Sequence, residues 1–258
     1  MMSDDDRSRW PKRLWLVRHG QSAGNVARDR ATESGALRID LKTRDVDVPL
    51  SRTGEQQAAA LGRWFADGQG NGRPDIILCS PYLRAQQTAE RFRDEGGPVE
   101  GAAICIDERL REKEFGVLDG LTTAGVAAFD PQQAAFRQLL GKFYHRPPGG
   151  ESWCDVIFRL RSLLDTVSLH YRGREVMIVA HQVVVLCLRY ILEKLSEEEL
   201  LAIDHAGDVA NCSVTEYALD TSGPGGLVLV RYNVAAAVED DPAAELTSAP
   251  DALVAARG

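Results

Sequence analysis

The sequence is poor in several features that would define a protein class. It has five cysteines in 258 residues, Cys79, Cys105, Cys154, Cys187 and Cys212, and no two of them form C-x-x-C. An odd, scattered set argues against a disulfide scaffold or a zinc site. It predicts reduced thiols packed in apolar runs of a cytoplasmic protein. Basic residues are outnumbered, 30 Lys and Arg against 38 Asp and Glu, for a formal net charge of -8. That deficit argues against binding nucleic acid or an anionic membrane, which needs a broad basic surface, but it leaves room for a small basic pocket. No apolar run reaches the roughly 18 residues of a membrane span. The start, "MMSDDDRSRWPKR", is polar and partly acidic, with no apolar core of a signal peptide. No G-x-x-x-x-G-K-[ST] occurs, so P-loop kinase chemistry is not expected.

What is present is ordinary for one enzyme-sized domain: 44% hydrophobic and 26% charged residues. Residues 1–12 read as a disordered lead-in, 13–233 as one catalytic domain, and 234–258 as a mobile Ala/Pro/acidic tail. "LWLV", "DIILCS", "AAICID" and "EVMIVA" are short apolar runs suited to buried parallel strands. Helical patterns alternate with them, in "EQQAAALGRWFAD", "YLRAQQTAERFRDE" with Pro81 near its first position, and "HQVVVLCLRYILEKL". Residues 26–47 read as a charged surface excursion with one short helix, and 122–143 as one or two short helices. "SEEELLAI" opens with a capping box, and "CSVTEYAL" and "GLVLVRYNV" form a candidate hairpin. The expected fold is α/β, a three-layer sandwich with a mostly parallel central sheet and helices on both faces.

Polar residues recur where these strands end. Arg18 and His19 follow the first, Arg84 lies early in the helix after the second, Glu112 follows the third, and His181 follows the fourth. In an open α/β sheet the C-terminal strand ends form the ligand crevice. Two arginines and two histidines facing one crevice would cradle an anion, and guanidinium groups match phosphate oxygens in pairs.

The ordered set "LVRHGQSAGN", "SPYLRAQQTA", "LREKEFGVLDG", "PPGGES" and "VMIVAHQ" resembles the histidine phosphatase superfamily, the phosphoglycerate mutase-like family. The resemblance implies that fold, and catalysis through a phosphohistidine without metal or other cofactor. On that resemblance His19 is the nucleophile, its second ring nitrogen donating to a backbone carbonyl to fix the tautomer. Arg18, Arg84 and His181 match the groups gripping the phosphoryl oxygens, and Asn25 touches the same group. Glu112 matches the proton donor to the leaving alcohol, by the spacing of Leu110, Glu112 and Gly116, with Glu108 and Glu114 as rivals. Ser22 and Gln182 are further candidates for substrate binding. Ser22, Glu151 and Ser152 stand equally well as caps or turn residues, and His145, His170 and His205 as surface or packing residues.

Gln182 after His181, and a short proline-bearing segment before Glu151, resemble the phosphatase branch. The expected activity is therefore hydrolysis of small phosphorylated metabolites. A cofactor-dependent mutase is the alternative within enzymes, and an inactive phosphate-ligand or protein-binding module the alternative outside them. The sequence does not name the ester or the oligomeric state.

Overall fold

The computed structural model describes residues 9–220, 226–235 and 247–248. A six-stranded sheet runs in the order β3-β2-β4-β1-β5-β6. The strands are β1 (Arg13–Arg18), β2 (Ile76–Cys79), β3 (Ala103–Ile106), β4 (Glu175–Ala180), β5 (Val214–Leu219) and β6 (Leu227–Val234). The first four are mutually parallel, and β5 and β6 add antiparallel at the β1 edge. The helices are α1 (Ala23–Glu33), α2 (Arg52–Ala66), α3 (Leu83–Asp94), α4 (Thr123–Phe129), α5 (Pro131–Tyr144), α6 (Trp153–His170), α7 (Gln182–Glu193) and α8 (Glu197–Ala206).

Side-chain alternation divides the core into two layers. Leu14, Leu16, Val176, Ile178 and Ala180 face α6, α7 and α8, through Val156, Leu160, Leu164, Val184, Leu188 and Leu200. The alternate residues Trp15, Val17, Met177 and Val179 face α2 and α3, where Leu61, Phe65, Ala85, Ala89 and Phe92 pack on them. Central strands buried on both faces read as continuous apolar runs, which is why β1 and β4 were visible in the sequence.

Three local readings are corrected. Pro81 is not at the first helical position: Tyr82 is the N-cap of α3, and Pro81 precedes it, because Ser80 still extends the sheet through Ser80 N–H to Val179 O at 3.0 Å. The 26–47 excursion is more structured than one short helix, since α1 runs to Glu33 and a 3-10 turn spans Asp45–Asp47. The lead-in expected over 1–12 is ordered from Trp10 on. Trp10 packs against the core, its carbonyl accepts from Gly173 N–H, and Lys12 N–H donates to Arg174 O; residues 1–8 lie outside the described residues. The tail expected over 234–258 falls almost wholly outside them too. Val234 closes β6, and Thr247 and Ser248 make defined contacts with the domain.

Candidate active site

Strand register builds the centre of the site. β1 and β4 pair with Arg18 opposite Ala180, and His19 N–H extends the ladder to Ala180 O at 2.9 Å. The next residues, His19 and His181, therefore leave the sheet side by side, with ring centroids 5.1 Å apart and the rings edge to face. β2 pairs with β4 so that Cys79 faces Val179. Ser80 then lands beside His181, with its Oγ 2.8 Å from Nε2. The same hydroxyl accepts from Tyr82 N–H at 3.2 Å.

The tautomer of His19 follows from its neighbours. A guanidinium only donates, and Arg84 Nε lies 3.2 Å from His19 Nε2. Nε2 is thus an acceptor with its lone pair in the pocket. The ring proton sits on Nδ1, which donates to Gly20 O at 2.6 Å. The turn after His19 requires glycine at close quarters: a Cβ on Gly20 would lie 2.5 Å from Gly54 O, where α2 begins. Gly20 N–H donates to Thr88 Oγ1 at 3.1 Å, and Thr88 in turn donates to Arg84 O at 2.7 Å.

Arg18, His19, Arg84, Glu112 and His181 are each at most 2% exposed. Arg18 Nη1 donates to Val209 O at 2.5 Å and to Ser248 O at 3.1 Å. Arg84 Nη1 donates to Asp45 O at 2.7 Å and Oδ1 at 3.0 Å, and Nη2 donates to Oδ2 at 3.3 Å. The Tyr82 ring lies 4.9 Å from the Arg84 guanidinium and 5.1 Å from the His181 ring. Burial, then the nearby Glu114 and Asp45 charges, push the Tyr82 hydroxyl above its usual pKa, so it stays protonated and donates to Glu114 at 3.1 Å.

Glu112 lies across the pocket, with Oε2 3.9 Å from His181 Nδ1. Its Oε1 accepts from Lys113 N–H at 2.7 Å. A brace holds this segment. Arg159 donates to the carbonyls of Arg109 and Glu112, and Glu151 accepts from Arg159, from Arg111 and from Glu114 N–H. Burial opposes the charge on Glu151, yet the hydrogen bonds and charge of Arg159, with Glu114 N–H and Arg111, hold its pKa below the usual carboxylate range. Gly116 has φ +54, and a Cβ there would lie 2.2 Å from Pro148 O, which ties the same segment to "PPGGES".

Of the five residues named first in the sequence, His19, Arg84, Glu112 and His181 thus converge, and Arg18 closes β1 next to His19 with Nη1 on two backbone carbonyls; the three secondary candidates also make bonds of their own. Ser22 is the N-cap of α1, and Asn25 Oδ1 accepts from Ser22 N–H and Oγ in a reciprocal capping box. Both are buried at the rim of the His19 turn. Gln182 Nε2 donates to Asp208 at 2.9 Å. Ser152 caps α6, with Asp155 completing the box. Glu114 serves Tyr82, and Glu108 begins a 3-10 turn. Asp45, Ser80, Asn211 and Ser248 were missed. Of these only Ser80, at a strand end, carried any sequence signal. Among the described residues no three His, Cys, Asp or Glu side chains are grouped as metal ligands, and no helix is long and apolar enough to cross a membrane.

The profile of the histidine phosphatase superfamily (branch 1) matches residues 14–234, and the chain belongs to that family. Among curated relatives, the Caenorhabditis elegans 6-phosphofructo-2-kinase/fructose-2,6-bisphosphatase is 31% identical over 218 residues, covering 81% of this chain and 42% of that protein. A Rhizobium rhizogenes 2,3-bisphosphoglycerate-dependent phosphoglycerate mutase is 30% identical, covering 76% and 86%. The chain spans about half the length of the first curated relatives, 42% to 54%. Among solved structures, a mycobacterial glucosyl-3-phosphoglycerate phosphatase with inorganic phosphate superposes with a TM-score of 0.65 at 28% identity, covering 88% and 99%. An Escherichia coli putative α-ribazole-5'-P phosphatase shares the fold at 20% identity and a TM-score of 0.68.

Proposed function

We propose that this chain is a phosphomonoesterase acting on small phosphorylated metabolites through a phosphohistidine at His19, without metal, in the cytoplasm. The observation that carries this reading is the tautomer of His19, with Nδ1–H tied to Gly20 O and the Nε2 lone pair held beside Arg84 and His181. Nε2 attacks phosphorus, the P–O bond to the alcohol breaks, and Glu112 protonates the leaving oxygen. Water then attacks phosphorus and gives a proton to Glu112 as the P–N bond breaks, which releases inorganic phosphate and regenerates both groups. Arg18, Arg84 and His181 stabilise the charge spread over the equatorial oxygens. The five free cysteines support the compartment.

A second reading, phosphotransfer between positions of one substrate, is favoured by the 30% identity to the Rhizobium mutase. Supplied with 3-phosphoglycerate and a trace of the 2,3-bisphosphate, the chain is expected to release phosphate or do nothing. Primer-dependent 2-phosphoglycerate without phosphate release would establish the mutase instead.

The hydrolase reading is tested by brief incubation with radiolabelled ester and an alkaline quench. The expected product is an acid-labile phosphoprotein, absent in His19→Ala and formed equally in excess chelator. A label that survives in His19→Ala, or one that needs added magnesium, refutes the mechanism.

A further inference from the structure

Thr247 and Ser248 belong to a stretch that the sequence assigns to a tail outside the catalytic domain, yet they lie against the innermost part of the site. The Ser248 carbonyl accepts from Arg18 Nη1 at 3.1 Å, the nitrogen that also serves Val209 O at 2.5 Å. Both Nη1 hydrogens lie in the guanidinium plane, so two carbonyls at their ends fix that plane. Thr247 is joined on three sides. Its Oγ1 accepts from Gln57 Nε2 at 2.9 Å and donates to Asn211 Oδ1 at 2.9 Å. Its carbonyl accepts from Asn211 N–H at 2.8 Å.

Each partner of Thr247 holds the turn that carries the nucleophile. Asn211 Nδ2 donates to His19 O at 2.9 Å, and Gln57 Oε1 accepts from Gln21 N–H at 2.8 Å. Asn211 and Gln57 are both fully buried. Buried amides are stable only in the orientation that satisfies their hydrogen bonds. Thr247 completes that pairing, since its single hydroxyl receives from the second group of one amide and donates to the second group of the other.

We propose that Thr247 is a positioning residue, and that Thr247–Ser248 form a strap fixing Arg18 and the His19 turn in their catalytic geometry. The proposal rests on the phosphatase reading for its effect on turnover, though not for its effect on phosphate binding. The strap acts through Arg18 and His19 and does not itself reach the substrate.

The test uses the full chain. Thr247→Val removes both hydroxyl bonds at nearly constant volume, and Thr247→Ser keeps them. Three quantities are measured: kcat/KM with p-nitrophenyl phosphate, the Kd of inorganic phosphate by calorimetry, and Tm. Each neutral hydrogen bond is worth about 1 kcal/mol net, so Thr247→Val is expected to lower kcat/KM and weaken phosphate binding about tenfold. Thr247→Ser should restore both to within about twofold and keep the wild-type Tm, whereas Thr247→Val, which leaves two buried amide groups unpaired, should also lose several degrees of Tm. Unchanged phosphate affinity in Thr247→Val overturns the strap, and so does equal impairment of the two variants, which would mean that the methyl group's packing matters instead. A wild-type chain that binds phosphate but hydrolyses no ester would defeat the phosphatase reading alone, and the phosphate Kd would still decide the strap.

Discussion

The two arginines beside His19 are both buried, yet they are held in opposite ways. Arg18 is gripped by neutral carbonyls of Val209 and Ser248. Arg84 is gripped by a carboxylate, Asp45, across its Nη1–Nη2 edge, while its Nε faces His19. A carbonyl fixes a guanidinium and leaves its full charge for a ligand. A carboxylate fixes it and compensates that charge, which lowers the cost of burial but competes with an incoming anion. Arg84 therefore carries a carboxylate counter-charge along its Nη1–Nη2 edge, whereas the two bonds described for Arg18 Nη1 go to neutral carbonyls. Asp45 sits on a surface turn with its side chain about one-third exposed, so the partner of Arg84 has room to move.

Removing either arginine is the strongest way to break the comparison. Arg18→Met and Arg84→Met should each lower kcat/KM by about 10²–10³, the usual loss of a charge-stabilising donor. In the Arg84 variant an uncompensated carboxylate remains near His19, so adding Asp45→Asn should recover about tenfold. The same second change should recover nothing in Arg18→Met. Steady-state kinetics of the four variants read this, and equal recovery in both backgrounds would erase the distinction.

A smaller effect sharpens it. Asp45→Asn alone should tighten inorganic phosphate about threefold at low ionic strength, with the gain shrinking as salt rises. Titration calorimetry at two salt concentrations measures it. Weaker binding in the variant would mean that Asp45 chiefly orients Arg84.

Lys113 supplies the mildest test, as a buried cation with neither kind of grip. It is 4% exposed, and its ammonium lies 4.2 Å from the Phe115 ring centre. Burial first, then the Arg137 charge, pushes its pKa down to about 8. Between pH 8 and its ordinary value near 10.5 the unfolded chain binds the extra proton, so wild-type stability rises with pH across that window. Lys113→Met lacks this dependence. It should therefore be the more stable protein at pH 7, by an advantage that fades from pH 8 upward and is gone above about 10.5. Denaturant midpoints at pH 7 and pH 10 test the sign.

The sheet was legible because its central strands are apolar on both faces, and the five principal candidates were legible because Arg18 closes β1 and the other four follow strand ends. Asp45, Asn211 and Ser248 were not. Ser248 and Val209 act through backbone carbonyls, which any residue could supply. Asp45 reaches Arg84 from a turn whose path no periodicity encodes. Ser22 and Asn25, close to His19 in sequence, also start α1 through a reciprocal capping box. Trp10 and Lys12 escaped notice because their anchoring is two backbone bonds to the Gly173–Arg174 turn.

The position of β1 has a consequence for synthesis. Of the six strands in this sheet it is made before the other five, yet both of its neighbours, β4 and β5, come from residues 175–219. Until those emerge, "RLWLV" is an apolar segment with unpaired edges on both sides, a species prone to aggregate. The domain thus carries this liability from early in its synthesis, and His19 meets His181 only when that liability is covered.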